Sequence, residues 1–304
     1  MPVSTSVHIS HCLRYIINLR PQSILDIGCG FGMWGFLGRM YLDVAEERVQ
    51  PDQWRVRIDG IELFEPYIQA HQRALYSSIA IGDIRELAPN LDRYELIIAG
   101  DVIEHLEKDE GERVIEHLYD KATRALMVNI PLGEGWDHPE RHGNPGELHR
   151  SQWYPEDFYP YPNVAEHFEL PAGAYGSFFC PKDCSIEARV EGLLLAAERQ
   201  LSLNRADHAL ECLRKGNALM PGHRDTALAL VDILLKQKQT DAAVIALRNA
   251  VEADPDFHYA YIALAKILRA TQRWSEGEVF ARKLLARTGV PPETRAEVEA
   301  LLRA

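Results

Sequence analysis

The stretch Ser23–Trp34, SILDIGCGFGMW, decides the fold. An apolar run meets an acid, Asp26, and glycines follow at the alternate positions 28, 30 and 32. The run reads as a buried strand, and the glycines as a tight turn that opens a helix. Doubly wound α/β sheets hold nucleotide-like ligands on such turns.

Working outward, short apolar runs alternate with amphipathic stretches. The runs are VRIDGIEL (56–63), SIAIGD (78–83), YELIIAGDVI (94–103) and RALMVNIPL (124–132), with helix-like segments near 34–45, 66–75 and 109–121 between them. Nearly continuous Ile, Leu and Val predict parallel strands buried on both faces by helices. The alternation predicts a Rossmann-like, doubly wound sheet. VAEHFEL (164–170) and SFFCPK (177–182) follow, and PAGAYG between them suits a turn joining antiparallel strands.

From about Ile186 the pattern becomes helical only. At a spacing of 34 residues Ala209 meets Ala243, Leu213 meets Leu247, Pro221 meets Pro255, Ala229 meets Ala263, Leu230 meets Leu264 and Leu234 meets Leu268. This spacing resembles the tetratricopeptide repeat. It predicts helix pairs over about 186–221, 224–255 and 257–289, the last with Gly289 in place of the proline, and a capping helix near 292–303. The expected organisation is an α/β domain over 1–183 and an all-α helical-repeat domain over 184–304. Each repeat needs neighbours to cover its apolar face, so the array either supports the fold, holds a homodimer together or receives a peptide.

The 304 residues carry 33 Lys and Arg against 45 Asp and Glu, a net charge of −12. Residues 1–183 hold 16 of the bases and 29 of the acids, so the acidity belongs to the first domain. Such a surface repels phosphate backbones, which argues against long nucleic acid as a partner. No apolar run approaches the ~20 residues of a membrane span, and the N-terminus lacks a basic leader, so a cytoplasmic protein with no membrane partner is expected. Five scattered cysteines without CxxC spacing read as reduced thiols.

The glycine turn breaks the dinucleotide pattern Gly-x-Gly-x-x-Gly at Met33. Asp-x-Gly-x-Gly-x-Gly, here Asp26, Gly28, Gly30 and Gly32, instead resembles motif I of class I S-adenosylmethionine-dependent methyltransferases. Glu62, followed by Leu63, closes the second strand in DGIEL, Asp83 and Ile84 follow the third, and Asp101-Val102-Ile103-Glu104-His105 resembles the family's Asp/Glu-x-x-Glu-His segment. The resemblance covers about residues 1–183. It implies S-adenosyl-L-methionine as cofactor, held by Asp26, Gly28, Gly30, Glu62, Leu63, Asp83, Ile84 and Asp101. Glu62 would take the ribose hydroxyls, and Asp83 with Ile84 the adenine amino group. Singly, each acid has a structural alternative: Asp26 and Asp83 as caps, Glu62 as a solvated side chain.

Methyl transfer needs in-line placement of the acceptor and, for a hydroxyl, a proton acceptor. His149, at the end of the Gly- and Pro-rich loop 133–150 over the pocket, is the first candidate for the proton acceptor and His105 the second; His138 and His142 read as exposed histidines of that loop. Asp101, Glu104, His105 and His149 also resemble the metal-binding set of the small-RNA 2′-O-methyltransferases, which leaves a divalent metal open. The set departs from that family by Asp at 101, and the chain has no recognisable RNA-binding region. The expected activity is O-methylation of a small metabolite, glycan or short peptide. N-methylation, and a non-catalytic repeat protein carrying a degenerate Rossmann domain, stay as alternatives.

Overall fold

The computed structural model describes residues 5–136 and 143–303. They fall into two compact units. One runs to Phe158 and resumes over Pro162–Asp183; the other takes Tyr159–Tyr161 and the chain from Cys184 onward.

In the first unit seven strands form one sheet in the order β3-β2-β1-β4-β5-β7-β6. β1 (Ser23–Ile27) lies at the centre, parallel to β2 (Arg57–Glu62) and β4 (Tyr94–Gly100). Its Ile24, Leu25 and Ile27 are buried, as the absence of polar alternation requires. β3 (Ser78–Ile81) extends the sheet beyond β2, and β5 (Ala122–Leu132) pairs parallel to β4. β7 (Gly173–Pro181) inserts antiparallel between β5 and β6 (Val164–Leu170). The order reverses direction at β1/β4, where doubly wound sheets open a crevice at their carboxyl ends. The fold is therefore a Rossmann-like sheet of the class I methyltransferase type, followed by helical repeats.

Two strand expectations need correction. β3 is largely exposed rather than buried on both faces, and Ile81 is 43% exposed, because β3 is the sheet's edge and only β2 flanks it. The turn between the last two strands is also shorter than PAGAYG: Pro171 and Ala172 alone link them, and Gly173–Gly176 already pair with β6.

α1 (Ile9–Leu19), α2 (Met33–Leu42), α3 (Ala70–Leu75), α4 (Ile84–Leu87) and α5 (Lys108–Lys121) connect or flank the strands. α5 buries Val114, Ile115, Leu118 and Tyr119 on one stripe, and its first turn carries Asp109 and Glu110, the sign its dipole favours. α1 was not anticipated, although Ile9, Cys12, Leu13 and Ile16 have helical spacing. His138 and His142 lie outside the described residues.

The second unit is helical: α6 (Ile186–Ser202), α7 (Ala206–Leu219), α8 (Arg224–Lys236), α9 (Thr240–Ala253), α10 (His258–Ala270), α11 (Trp274–Leu285) and α12 (Pro292–Arg303). Its period is visible in the backbone as well as the sequence. Asn204, Lys238 and Gln272, spaced by one repeat, all take left-handed φ of 59° at the corner between the helices of a pair. Ala209, Leu213, Leu230, Leu234, Ala243, Leu247, Leu264 and Leu268 are buried in one core. Among the described residues no helix is long and apolar enough to cross a membrane.

Candidate functional site

The turn after β1 needs its glycines. Gly28, Gly30 and Gly32 have φ of 64°, 48° and 85°, a region side chains disfavour. A Cβ on Gly28 would also overlap Val102. The Cys29 amide donates to Ile61 O at 3.0 Å, which ties the turn to β2.

A cavity of about 460 Å³ opens over this turn, at the carboxyl ends of the parallel strands. Gly28, Gly30, Glu62, Leu63, Asp83, Ile84, Asp101 and His105 line it, so most of the residues singled out in the sequence share one wall system. Asp26 and His149 are not on that wall.

Asp26 lies below the turn, 1% exposed, and accepts the Tyr76 hydroxyl at 2.5 Å. Tyr76 in turn accepts the Gly35 amide at 3.0 Å, where a Cβ would overlap the tyrosine ring. Burial pushes the Asp26 carboxyl up to about 7, against the lowering effect of the Tyr76 bond. Asp26 thus braces the turn from beneath.

Glu62 is 6% exposed and reaches both walls: Oε2 accepts the Gly30 amide and Oε1 the Phe64 amide, each at 2.9 Å. Burial raises its carboxyl above the ordinary range, although both amides favour the charged form. Each oxygen retains acceptor capacity toward the cavity. Asp83 has two tasks: it caps α4 through the Arg85 amide at 2.9 Å, and it lines the cavity. The Arg85 guanidinium, 2.6 Å away, holds its carboxyl below the usual value. Asp101 sits at the tip of β4 with a left-handed φ of 51°, where its Oδ1 accepts the Tyr175 hydroxyl at 2.9 Å. A non-glycine residue held in that region at a strand tip is common at functional sites.

His105 and His149 meet ring to ring, 5.0 Å between centroids, and His105 Nδ1 lies 3.3 Å from Leu148 O. Beside them Glu104 is 1% exposed, with neither carboxylate oxygen hydrogen-bonded among the described residues. Burial, reinforced by Asp101, raises its carboxyl well above the ordinary value. Ligand atoms of Glu104, His105 and His149 all lie within 4.8 Å of one another.

Sequence reasoning missed Tyr67, Gln72, Tyr76, Tyr175, Asn144 and Glu147. Tyr67, Asn144 and Glu147 line the cavity, and the Tyr67 hydroxyl donates to Glu147 Oε1 at 2.9 Å across it. A lone tyrosine or glutamine carries no local signal, because its role depends on which distant segment it faces.

The sheet has a Rossmann-like fold resembling that of the class I methyltransferases, and residues 224–267 match the tetratricopeptide repeat family. Among solved structures, the chain is similar to magnesium protoporphyrin IX methyltransferase (ChlM) of Synechocystis PCC 6803 with bound SAH, at 16% identity and TM-score 0.42, covering 58% of this chain and 82% of that one. It is also similar to TehB of Haemophilus influenzae, at 15% identity and TM-score 0.42, covering 59% and 64%. A SAM-dependent methyltransferase of Archaeoglobus fulgidus gives 14% identity and TM-score 0.42, covering 57% and 93%. No curated protein matches the chain in sequence.

Proposed function

We propose that the chain is an S-adenosylmethionine-dependent methyltransferase acting on an oxygen of a small metabolite, glycan or short peptide. One observation carries the reading: a bare glycine turn, Glu62, Asp83 with Ile84, and Asp101 all line a single strand-end cavity of about 460 Å³. That volume suits a small ligand. The residues fit the cofactor chemically. Gly28 and Gly30 leave room for its amino-acid end, Glu62 can accept both ribose hydroxyls, and Asp83 can accept from an adenine amino group. Bound, the cofactor supplies an activated sulfonium methyl. The chain's task is then to orient the acceptor, exclude water and take up a proton, for which His105, on the cavity wall, offers an imidazole. His149, in ring contact with His105, orients that imidazole or shares its proton. All five cysteines are free thiols, in keeping with the cytoplasm as the site of action. The helical repeats would receive the acceptor or pair two copies of the chain.

Titration calorimetry with S-adenosylhomocysteine and S-adenosylmethionine tests the reading; folded protein that gives no heat with either ends it. Turnover with a cell extract separates the enzyme from a non-catalytic scaffold, which would release no S-adenosylhomocysteine above the buffer blank.

A second reading adds a divalent metal at Glu104, His105 and His149. Its support is the buried Glu104 carboxylate, without a hydrogen bond among the described residues and within reach of two imidazoles. Mixed oxygen and nitrogen donors suit Mn²⁺ or Zn²⁺. Mn²⁺ should bind stoichiometrically in calorimetry and lose that binding in Glu104→Ala; equal binding by the variant rejects the site.

A further inference from the structure

Two of the three hydrogen bonds made by one helical side chain reach segments that line the cavity. Gln72 of α3 is fully buried. Its amide nitrogen donates to Gly30 O at 2.8 Å and to Tyr67 O at 2.8 Å. Its oxygen accepts the Gln69 amide at 2.9 Å and so caps α3. The two carbonyls belong to different segments, Gly30 to the turn after β1 and Tyr67 to the loop after β2, and both residues line the cavity. The other face of Gly30 is tied the same way, since its N–H donates to Glu62 Oε2 at 2.9 Å. Gly30 is therefore held through both of its backbone polar groups by residues of the β2–α3 segment.

We propose that Gln72 is a positioning residue for the cofactor: its amide clasps the glycine turn to the Tyr67 loop, and so fixes the separation of the walls that take the amino-acid and ribose ends. The proposal rests on the methyltransferase reading. A turn with three left-handed glycines is the most deformable part of the site, because glycine pays the largest entropy to be ordered. Ordering it before the ligand arrives moves that cost out of the binding step. A purely structural glutamine would need only its capping oxygen. The two donated bonds lead away from α3, to the two ligand-facing segments.

The capping and clasping roles are separable by substitution. Gln72→Glu keeps an acceptor for the Gln69 amide but, ionised, has no donor for either carbonyl. Gln72→Met removes both roles at similar size. The full chain is titrated with S-adenosylhomocysteine from pH 6 to 8.5, alongside thermal unfolding of each form. Gln72→Glu should bind about tenfold more weakly than wild type at pH 8.5, a change of about 1.4 kcal/mol. The gap should narrow toward pH 6, as a protonated carboxyl again donates to one carbonyl. Gln72→Met should be weaker by a factor that does not change with pH. Gln72→Glu is isosteric and gives folded protein to measure even where Gln72→Met is unstable. Wild-type affinity of Gln72→Glu across the whole range overturns the positioning role and leaves the methyltransferase reading intact. Absence of binding by the wild type, in contrast, removes that reading and the proposal with it.

Discussion

Glu62→Ala is the substitution that most directly probes the site. The carboxylate accepts two backbone amides at 2.9 Å and, in the proposed complex, two ribose hydroxyls. Hydrogen bonds to a charged acceptor contribute about 1.5–3 kcal/mol each, so losing both hydroxyl contacts should cost about 3–6 kcal/mol of binding. That is about a hundredfold to ten-thousandfold in Kd for S-adenosylhomocysteine, at tenfold per ~1.4 kcal/mol. Folding stability should change far less. The raised carboxyl shows that burial already works against this charge, and removing it relieves a desolvation cost that offsets the two lost amide bonds. Affinity and melting temperature should therefore separate: a large loss in calorimetry beside a shift of a few degrees in thermal unfolding. Glu62→Gln, which keeps one acceptor oxygen, should fall between the two. Because the wild-type carboxyl is raised, its affinity should decline on acidification from a pH above the ordinary carboxylate range, and Glu62→Gln should lack that limb. A Glu62→Ala chain that binds within about threefold of wild type refutes the ribose role.

Other perturbations test the scaffold. Asp26 holds its proton to about pH 7 in the fold against 3.8 ordinarily, so between those values the folded state binds the extra proton and stability falls as pH rises. The decline should reach at most about 4 kcal/mol, at ~1.36 kcal/mol per pKa unit. Urea midpoints measured across that window should fall less steeply for Asp26→Asn than for wild type. Gly35→Ala should cost about 2–4 kcal/mol in urea unfolding, since the added methyl overlaps the Tyr76 ring and breaks its bridge from Gly35 to Asp26. Leu247→Ala, fully buried in the repeat core, should cost about 2–5 kcal/mol in urea unfolding while calorimetry returns wild-type affinity for S-adenosylhomocysteine.

What could be read from the sequence follows the range of the interactions involved. Nearly continuous Ile, Leu and Val marked β1, β2, β4 and β5, because burial on both faces writes itself into composition. The repeat spacing marked each helix pair, and the same spacing returns in the left-handed corners at Asn204, Lys238 and Gln272. β3 misled for the same reason: SIAIGD is as apolar as a central strand, and only the strand order shows that it forms an edge. At the site, residues that meet a ligand through strand-tip position were legible, since glycine and acid at a strand's end have a local cause. Asp26 was legible as part of the motif but not as a brace under the turn, which depends on Tyr76, 50 positions away. Gln72 and Glu147 were illegible, because each acts on backbone or side chains brought near only by the crossover connections.

The antiparallel insertion of β7 bears on synthesis. β5 is buried along almost all of its 11 residues, and its neighbour on one side arrives only with Gly173–Pro181, after the outermost strand has already been made. A nascent chain halted at Leu170 therefore carries a long apolar ribbon with unpaired amides and carbonyls, a template for association with other chains. The eleven residues to Pro181 cover it. The last strand of the sheet must be made before β5 is paired on both edges, and the helical repeats follow in the chain directly after that strand.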